Sequence, residues 1–399
     1  MYQHYLEVTT MTKEIRKELI EAKKLYQSKK YEDALAIYEK HYSQNPDELN
    51  NWDRIFYCWA LYQLDIKNSS DEDKLFESAE LVTELISQED LNKKPVCAYT
   101  FSVFKVLDYL YSDNDYSNLL VWLEKINPKL LDEKRFDSGE RVYRSRKEKY
   151  YDYATKAYFE CEEFEKCIEV AKEALESLDK FTNNSDVWYN WRIAKSLKEL
   201  LENQDALTYL EKISKVKRDW FVQKEIAENY YILGEDEKAQ DYICEAVLTN
   251  DPMSIKVNLY HLAYKILGDI NPDLALKHAE LFYAIKMDNE SRIPEDIEEL
   301  EIDEDNLDKF SLEREIKEYW SEFKFKDQQL NYGTITKIFE HGRAGFITSD
   351  SNESVFFNVN EFKGDDLSVG TYVSYFTQKS FDKSKNKEST RAINIRREF

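Results

Sequence analysis

The chain of 399 residues is too long for one ordinary hydrophobic core, and its 42% apolar and 14% aromatic residues suffice for packed cores. No apolar run reaches the roughly 18 residues that a membrane span needs, and the first residues lack a signal-peptide core, so a cytoplasmic location without membrane contact is expected. The net charge of −23 argues against long-range attraction of the whole molecule to nucleic acid.

Small residues recur in pairs at a spacing of twelve along the first part of the chain. Twelve residues correspond to one helix, a short turn and the start of the next helix, and small side chains let two such helices approach closely. The pairs are Ala22/Ala34, Thr155/Cys167, Ala194/Ala206, Ala227/Ala239 and Ala263/Ala275. The second members of the last four pairs lie 39, 33 and 36 residues apart. This pattern resembles the tetratricopeptide repeat, whose period is about 34 residues.

The resemblance implies an all-α tetratricopeptide-like solenoid over residues 12–285, with about seven hairpins, of which those in 50–130 are degenerate. The groove of such a solenoid implies a partner protein or peptide. An alternative is a scaffold whose groove is filled by the chain itself or serves oligomerisation. The five cysteines form no CxxC pair and are predicted to be reduced, mostly buried thiols.

Two basic clusters interrupt the acidic helical region and form a second candidate surface for an anionic partner, either RNA or an acidic protein. Solvated helix faces are the other explanation and the one that such charge runs favour. The residues are Arg141, Arg144, Arg146, Lys147, Lys215, Lys217 and Arg218.

The next segments connect the helices to a different kind of sequence. Residues 286–308 are dense in carboxylates and are predicted to form an acidic linker rather than a metal site. Residues 309–328 carry an apolar stripe at helical spacing, typical of an amphipathic helix that caps the solenoid or packs against the terminal domain. The stripe consists of Leu312, Ile316, Tyr319, Trp320 and Phe323.

From residue 331 the pattern changes to strand-like alternation in "GTITKIF", "AGFIT", "SVFFNV", "GTYVSYF" and "RAINIRR". Five short strands predict a small five-stranded β-barrel of the oligonucleotide-binding (OB) type over residues 331–399. This segment has 10 basic and 9 acidic residues, a net charge of +1, whereas the rest of the chain has 46 and 70, a net charge of −24. It is therefore the electrostatically distinct part.

Residues 331–399 resemble the cold-shock domain family. Residues 345–348, "GFIT", fall on the end of the family's Lys-Gly-Phe-Gly-Phe-Ile-Thr motif, and "SVFFNVNEF" falls on its Asp-Val-Phe-Val-His-Phe motif. The resemblance implies that Phe346 and Phe356 are platforms on which single-stranded bases stack. The chain departs from the family at several other platform positions: Lys337, Ile338, Ala344, Asn358 and Val359.

Single-stranded RNA or DNA is accordingly the expected partner of the barrel, with phosphates held by a basic loop, "QKSFDKSKNKESTR". Phe357 is a further aromatic that a strand shift of one residue would bring to the same face. In the alternative, the barrel keeps Phe346 and Phe356 for its own packing and binds protein. The candidate nucleic-acid-binding residues are Lys337, Phe339, His341, Arg343, Phe346, Phe356, Asn358, Lys379, Lys383, Lys385 and Lys387.

We find no phosphate-cradling glycine loop, nucleophile elbow or metal-ligand set in the sequence, so neither catalytic residues nor a cofactor are expected. The sequence predicts a non-enzymatic adaptor that binds single-stranded nucleic acid through its barrel and a protein through its helical groove. A pure protein-interaction scaffold is the alternative. The architecture resembles bacterial proteins with helical repeats before a cold-shock-like barrel, some of them associated with defence against phage, which implies an antiviral setting.

Overall fold

The computed structural model describes residues 2–398 except 138, 140–141, 365 and 383–386. For residues 2–12, 136–137, 381–382 and 387–388 it describes the backbone alone. The chain divides into two compact units, Met1–Arg218 and Asp219–Phe399, called here the N-terminal and the C-terminal unit. Each unit is considered by itself.

The N-terminal unit consists of helices that pair with their neighbours along the chain. They are α1 (Tyr2–Gln27), α2 (Tyr31–Gln44), α3 (Asn51–Leu61), α4 (Glu72–Leu85), α5 (Ala98–Asp113), α6 (Tyr116–Leu123), α7 (Arg146–Glu160), α8 (Phe164–Ser177), α9 (Ser185–Glu199) and α10 (Asn203–Ser214). Two short antiparallel strands, β1 (Phe136–Asp137) and β2 (Val142–Tyr143), lie between α6 and α7.

The C-terminal unit continues with two more helix pairs, then a short and a longer helix, and ends in a β-sheet. Its helices are α11 (Trp220–Ile232), α12 (Asp236–Val247), α13 (Val257–Leu267), α14 (Pro272–Asp288), α15 (Glu295–Glu298) and α16 (Lys309–Phe323). Its strands are β3 (Asn331–Ile338), β4 (Ala344–Ser349), β5 (Ser354–Asn358), β6 (Phe362–Lys363), β7 (Tyr372–Asp382) and β8 (Lys387–Arg397).

The small residues spaced twelve apart lie where paired helices meet, as predicted. All ten are at most 2% exposed. In the α7–α8 pair the thiol of Cys167 donates to the carbonyl oxygen of Thr155 at 3.2 Å, which shows the two positions in direct contact. Four of the five cysteines are buried and all five are free thiols, in agreement with the prediction.

One turn geometry recurs between the helices of several pairs. The residues at Lys29, Glu162, Leu201 and Gly234 all adopt left-handed backbone, with φ between 61° and 75°. In each case the next backbone N–H donates, at 2.8–2.9 Å, to the carbonyl five residues earlier, which is the hydrogen bond of a Schellman cap. Since only one of the four is glycine, the sequence does not display this shared turn.

Helix α16 packs against α12 and α14. Trp320 is fully buried, and its indole Nε1–H donates to Nε2 of His278 at 3.1 Å. The acidic segment before α16 includes α15, where Ile297 is fully buried and Asp296 accepts from His261 at 2.7 Å.

The end of α16 also reaches the sheet. The rings of Phe325 and Phe376 stack at 4.5 Å with an interplanar angle of 7°, and Arg396 forms an ion pair with Glu322 at 3.0 Å. Phe325, which precedes the predicted start of the barrel at residue 331, therefore contributes an aromatic contact to the sheet.

The sheet closes into a barrel of five main strands in the order β5-β4-β3-β7-β8, with β8 returning to pair in parallel with β5. This connectivity is that of the OB fold. The barrel core consists of Ile335, Ile347, Val355, Phe357, Val373, Tyr375, Ala392 and Ile395. The fold class is thus multidomain, with tetratricopeptide-like helical repeats followed by a small OB-type barrel.

The predicted basic loop "QKSFDKSKNKESTR" is largely strand. Residues 378–382 of β7 pair with residues 387–391 of β8, for example Lys379 with Thr390. The prediction was wrong here because this part of the hairpin shows no apolar alternation. Strand signals in a sequence depend on one face being buried in a core, and among the side chains described here, at 378–380 and 389–391, none is buried.

Candidate nucleic-acid interface

A row of outward-pointing side chains crosses four neighbouring strands of the barrel. Lys337 on β3 lies opposite Phe346 on β4, Phe346 lies opposite Phe356 on β5, and Phe356 lies beside Arg391 on β8. Side chains at paired positions of adjacent strands share one face of a sheet. An irregularity between Ile335 and Lys337 shifts the register of β3 and places Lys337 in this row.

Three phenylalanines form a continuous patch on this face, called here the aromatic platform: Phe339, Phe346 and Phe356. The ring centroids of Phe339 and Phe346 are 5.6 Å apart at 83°, and those of Phe346 and Phe356 are 5.9 Å apart at 74°. All three rings are partly exposed and none belongs to the barrel core. The platform is therefore a surface feature, held by edge-to-face contacts among its own members.

Phe357 points the opposite way and fills the barrel interior with no exposed area. It lies opposite Gly345, where a Cβ atom would meet its ring at 2.7 Å. Glycine at 345 thus makes room for Phe357 inside and leaves Phe356 outside. The strand shift that would have brought Phe357 to the face does not occur.

Polar candidates border the platform. The amine of Lys337 lies 5.5 Å from the ring centroid of Phe339, and His341 lies 5.4 Å from the same ring. Arg343 is exposed, and its backbone N–H donates to Nδ1 of His341 at 3.1 Å. Asn358 lies on β5 opposite Ala344, two residues beyond Phe356. The structure therefore brings these seven predicted residues together around one surface.

Arg391 belongs to the same surface although the sequence placed it in the loop. Its guanidinium donates to Oε1 of Gln378 from Nε at 3.1 Å and from a terminal nitrogen at 2.7 Å, so it is held beside Phe356. The signal that would have found it is strand alternation. Ala392 points into the core, and its neighbour must point outward.

The predicted loop lysines are distributed differently. Lys379 is exposed on β7, and Lys387 begins β8, where its backbone pairs with Asp382. Lys383 and Lys385 lie outside the described residues.

The second candidate basic surface lies in the N-terminal unit, where several of its members have acidic partners. Arg144 pairs with Asp152, Arg146 with Asp132 at 3.0 Å, and Lys147 with Glu133 at 2.6 Å. Lys215 and Arg218 are exposed, and the amine of Lys217 lies 4.7 Å from the ring centroid of Trp188. Arg141 lies outside the described residues.

Within the described part of the chain, no group of three or more histidine, cysteine, aspartate or glutamate side chains has a geometry that would hold a metal ion. No helix found there is both long enough and apolar enough to cross a bilayer.

Comparison with known proteins gives structural likenesses only. No protein family and no curated protein matches the chain. Among solved structures, it is similar to the human IFIT1 dimer with PPP-AAAA, at 15% identity and a TM-score of 0.36, over 66% of this chain and 56% of that chain. The apo form of RapI matches at 16% identity and a TM-score of 0.40, over 69% of this chain and 77% of that one.

A tetratricopeptide repeat protein from Parabacteroides merdae matches at 13% identity and a TM-score of 0.33, over 77% of this chain and 98% of that one. The chain thus spans about half the length of the IFIT1 chain and most of the other two. At these TM-scores the likenesses do not determine what this chain binds.

Proposed function

We propose that the C-terminal barrel binds single-stranded RNA or DNA on its aromatic platform, and that the chain is a non-enzymatic adaptor. The observation that carries the proposal is the platform itself. Phe339, Phe346 and Phe356 form one partly exposed aromatic surface between Lys337 on one side and Arg391 on the other.

Such a surface suits single strands because every base has a flat face that can stack on an aromatic ring. Stacking contributes about 1–3 kcal/mol per base and tolerates any sequence. The flanking cations match the phosphates that join successive bases, and this part of the affinity weakens as salt concentration rises. The cold-shock-like sequence supports the same use of Phe346 and Phe356.

The affinity of this surface is expected to be about micromolar at best. Lys337 and Ala344 stand where the cold-shock family has aromatic platform residues, so fewer bases stack. The net charge of −23 adds long-range repulsion of a polyanion.

The helical repeats supply the second half of the proposal, a binding surface for a partner protein or peptide. Tetratricopeptide-like repeats present extended surfaces that commonly serve this purpose. A setting in bacterial antiviral defence is proposed from the architectural resemblance alone.

Fluorescence anisotropy of the full chain with labelled oligo-U and oligo-dT tests the barrel site. We expect Phe346→Ala to weaken binding about tenfold at both low and high salt, since stacking depends little on ionic strength. Arg391→Gln is expected to weaken binding mainly at low salt. The matched control is Tyr332→Ala, because Tyr332 is an aromatic residue at the far end of β3 and is 40% exposed.

Equal weakening by Tyr332→Ala and Phe346→Ala would show that the platform is not the site. If neither oligonucleotide binds the full chain at low salt, the alternative of a protein-binding barrel takes the place of this proposal.

A further inference from the structure

A cavity of about 650 Å³ lies in the N-terminal unit, well separated in sequence from the barrel. Helices α5, α7 and α9 and the strand β2 contribute its walls. Three cationic side chains and a single carboxylate line it, together with four aromatic rings. Its size is that of a pocket for a small organic ligand.

Two of the cations, Arg144 and Arg192, are held in place by the carboxylate of Asp152, which is 7% exposed. One oxygen of Asp152 accepts from Arg192 at 2.8 Å and the other accepts from Arg144. One carboxylate therefore serves two guanidinium groups. Their positions are set before any ligand arrives, which lowers the entropic cost of binding an anion to them.

The third lining cation and one nearby lysine are also held by contacts. Lys149 lines it and pairs with Asp108 at 2.6 Å. Lys217, from the second basic cluster of the sequence, lies over Trp188, which is also a lining residue. The second basic cluster therefore comes close to the cavity through the contact of Lys217 with a lining residue.

The aromatic walls are also held in place. The rings of Tyr111 and Tyr153 stack at 4.2 Å and 20°, and the hydroxyl of Tyr153 donates to Asp108 at 2.9 Å. Tyr143, on β2, lines the cavity and is 50% exposed. Flat apolar surface and cationic groups therefore face the same space.

The loop before α9, which borders the cavity, is held in place by hydrogen bonds to a buried glutamate. The carboxylate of Glu148, 1% exposed, accepts hydrogen bonds from the backbone N–H of Thr182 at 2.6 Å and from the hydroxyls of Thr182 and Ser185 at 2.7 and 2.5 Å. Between them, Asn183 and Asn184 both have left-handed backbone, with φ of 51° and 57°. Asn183 lines the cavity, so these hydrogen bonds fix the position of one of the cavity walls.

We infer that this cavity binds a nucleotide, with the base against its aromatic wall and the phosphate on the guanidinium groups of Arg144 and Arg192, beside the carboxylate that bridges them. Planar guanidinium groups match the geometry of a phosphate, and tyrosine and tryptophan rings match that of a base. An acidic peptide would use the same cations, but it would not need the aromatic walls, and it generally occupies an extended groove. The inference is independent of the barrel proposal.

The nucleotide has two chemical sources, a free mononucleotide or the terminal nucleotide of a single strand. Isothermal titration calorimetry of the full chain with AMP, UMP, adenosine, and 5′-phosphorylated and 5′-hydroxyl oligo-A distinguishes them. We expect AMP or UMP to bind at least tenfold more tightly than adenosine. If, in the Phe346→Ala variant, whose barrel site is weakened, 5′-phosphorylated oligo-A binds more tightly than AMP and the 5′-hydroxyl strand does not, the strand end is the source.

Variants locate the binding. Arg144→Gln and Trp188→Leu are each expected to weaken AMP binding at least tenfold, whereas Lys156→Gln, a change on the same helix α7, is expected to leave it unchanged. Phe346→Ala, in the barrel, is also expected to leave AMP binding unchanged, so the cavity proposal is tested separately from the barrel proposal. Because Arg144→Gln also removes the ion pair with Asp152, hydrogen exchange of the wild-type protein provides a second measurement that needs no substitution. In that experiment AMP should protect residues 142–153 and 182–192.

The inference is overturned if AMP and UMP give neither binding heat nor protection at millimolar concentration. It is equally overturned if adenosine binds as tightly as AMP, if Phe346→Ala abolishes AMP binding, or if oligo-glutamate gives the protection and nucleotides do not.

Discussion

Gly345 and the ring of Phe357 are packed so closely on adjacent strands that a single methyl group does not fit between them. A Cβ at residue 345 would lie 2.7 Å from the ring and still closer to the carbonyl oxygen of Lys337. A backbone atom cannot move aside as a flexible side chain can. The position of Phe357 in the core and of Phe356 on the surface therefore depends on this glycine.

Gly345→Ala is expected to destabilise the barrel by about 1–3 kcal/mol, because an overpacked core must shift backbone or side chains. Hydrogen exchange of the full chain, followed over residues 331–364, measures the effect locally. Gly268→Ala is the control, since its nearest contacts would be at an ordinary 3.7 Å. Unchanged protection in Gly345→Ala would contradict the packing described here.

Leu201→Gly is expected to stabilise the protein by about 0.5–1 kcal/mol, because a left-handed backbone is costly for a residue with a Cβ. Leu201 has φ of 63° and is 82% exposed, so little packing is lost. Gly234→Leu, at the equivalent turn of another pair, should destabilise. Urea unfolding followed by circular dichroism tests both changes, and effects of the same sign would refute a shared turn geometry.

Ala239→Leu is expected to destabilise the protein by about 1–3 kcal/mol. Ala239 and its partner Ala227 are both fully buried where α11 meets α12, so the larger side chain forces the helices apart. Glu237→Leu introduces the same side chain at an exposed position of α12 and is the control. Equal urea midpoints for the two variants would mean that the helix crossing tolerates bulk.

His278 is expected to make the C-terminal unit sensitive to acid. Burial lowers the pKa of its imidazole to about 4, while Nδ1–H donates to the carbonyl of Leu274 at 2.8 Å and Nε2 accepts from Trp320. Between pH 6.5 and 4 the unfolded chain binds a proton that the folded chain does not, so stability falls as pH falls. The loss from pH 7 to pH 5 is about 2 kcal/mol.

The variant His278→Gln tests this assignment because glutamine keeps an acceptor for Trp320 and has no ionisable group. Urea unfolding at pH 7 and pH 5, followed by tryptophan fluorescence, should show a smaller loss of stability in the variant than in the wild type. Identical losses would place the acid sensitivity elsewhere.

The sequence alone predicted the helical repeats and the barrel because both depend on periodic side chains. Alanines at a spacing of twelve, and the alternation of apolar and polar side chains around Ile335 and Ile347, directly indicate which faces of the helices and strands are buried. The recurring turn escaped prediction because Lys29, Glu162 and Leu201 are not residues typical of left-handed backbone.

The candidate sites were predictable to different degrees for the same reason. Phe346 and Phe356 could be found because the strand motif sets which side chains face outward. For Arg391, alternation next to Ala392 indicates only that the side chain points outward, since its place beside Phe356 depends on a parallel pairing between strands that are distant in sequence. The cavity likewise brings Arg144 together with Arg192 through the stacking of repeats, which no local pattern encodes.

The hydrogen bonds of Glu148 and Asp152 also have a mechanical consequence. Both acids lie on α7, and their partners Thr182, Ser185 and Arg192 belong to the following repeat. In a linear array each repeat contacts only its neighbours, so unfolding can proceed one repeat at a time unless an interface is unusually strong. Here the α7–α8 and α9–α10 hairpins are joined by buried, charged hydrogen bonds. Under a pulling force they should give way in a single step, as one block.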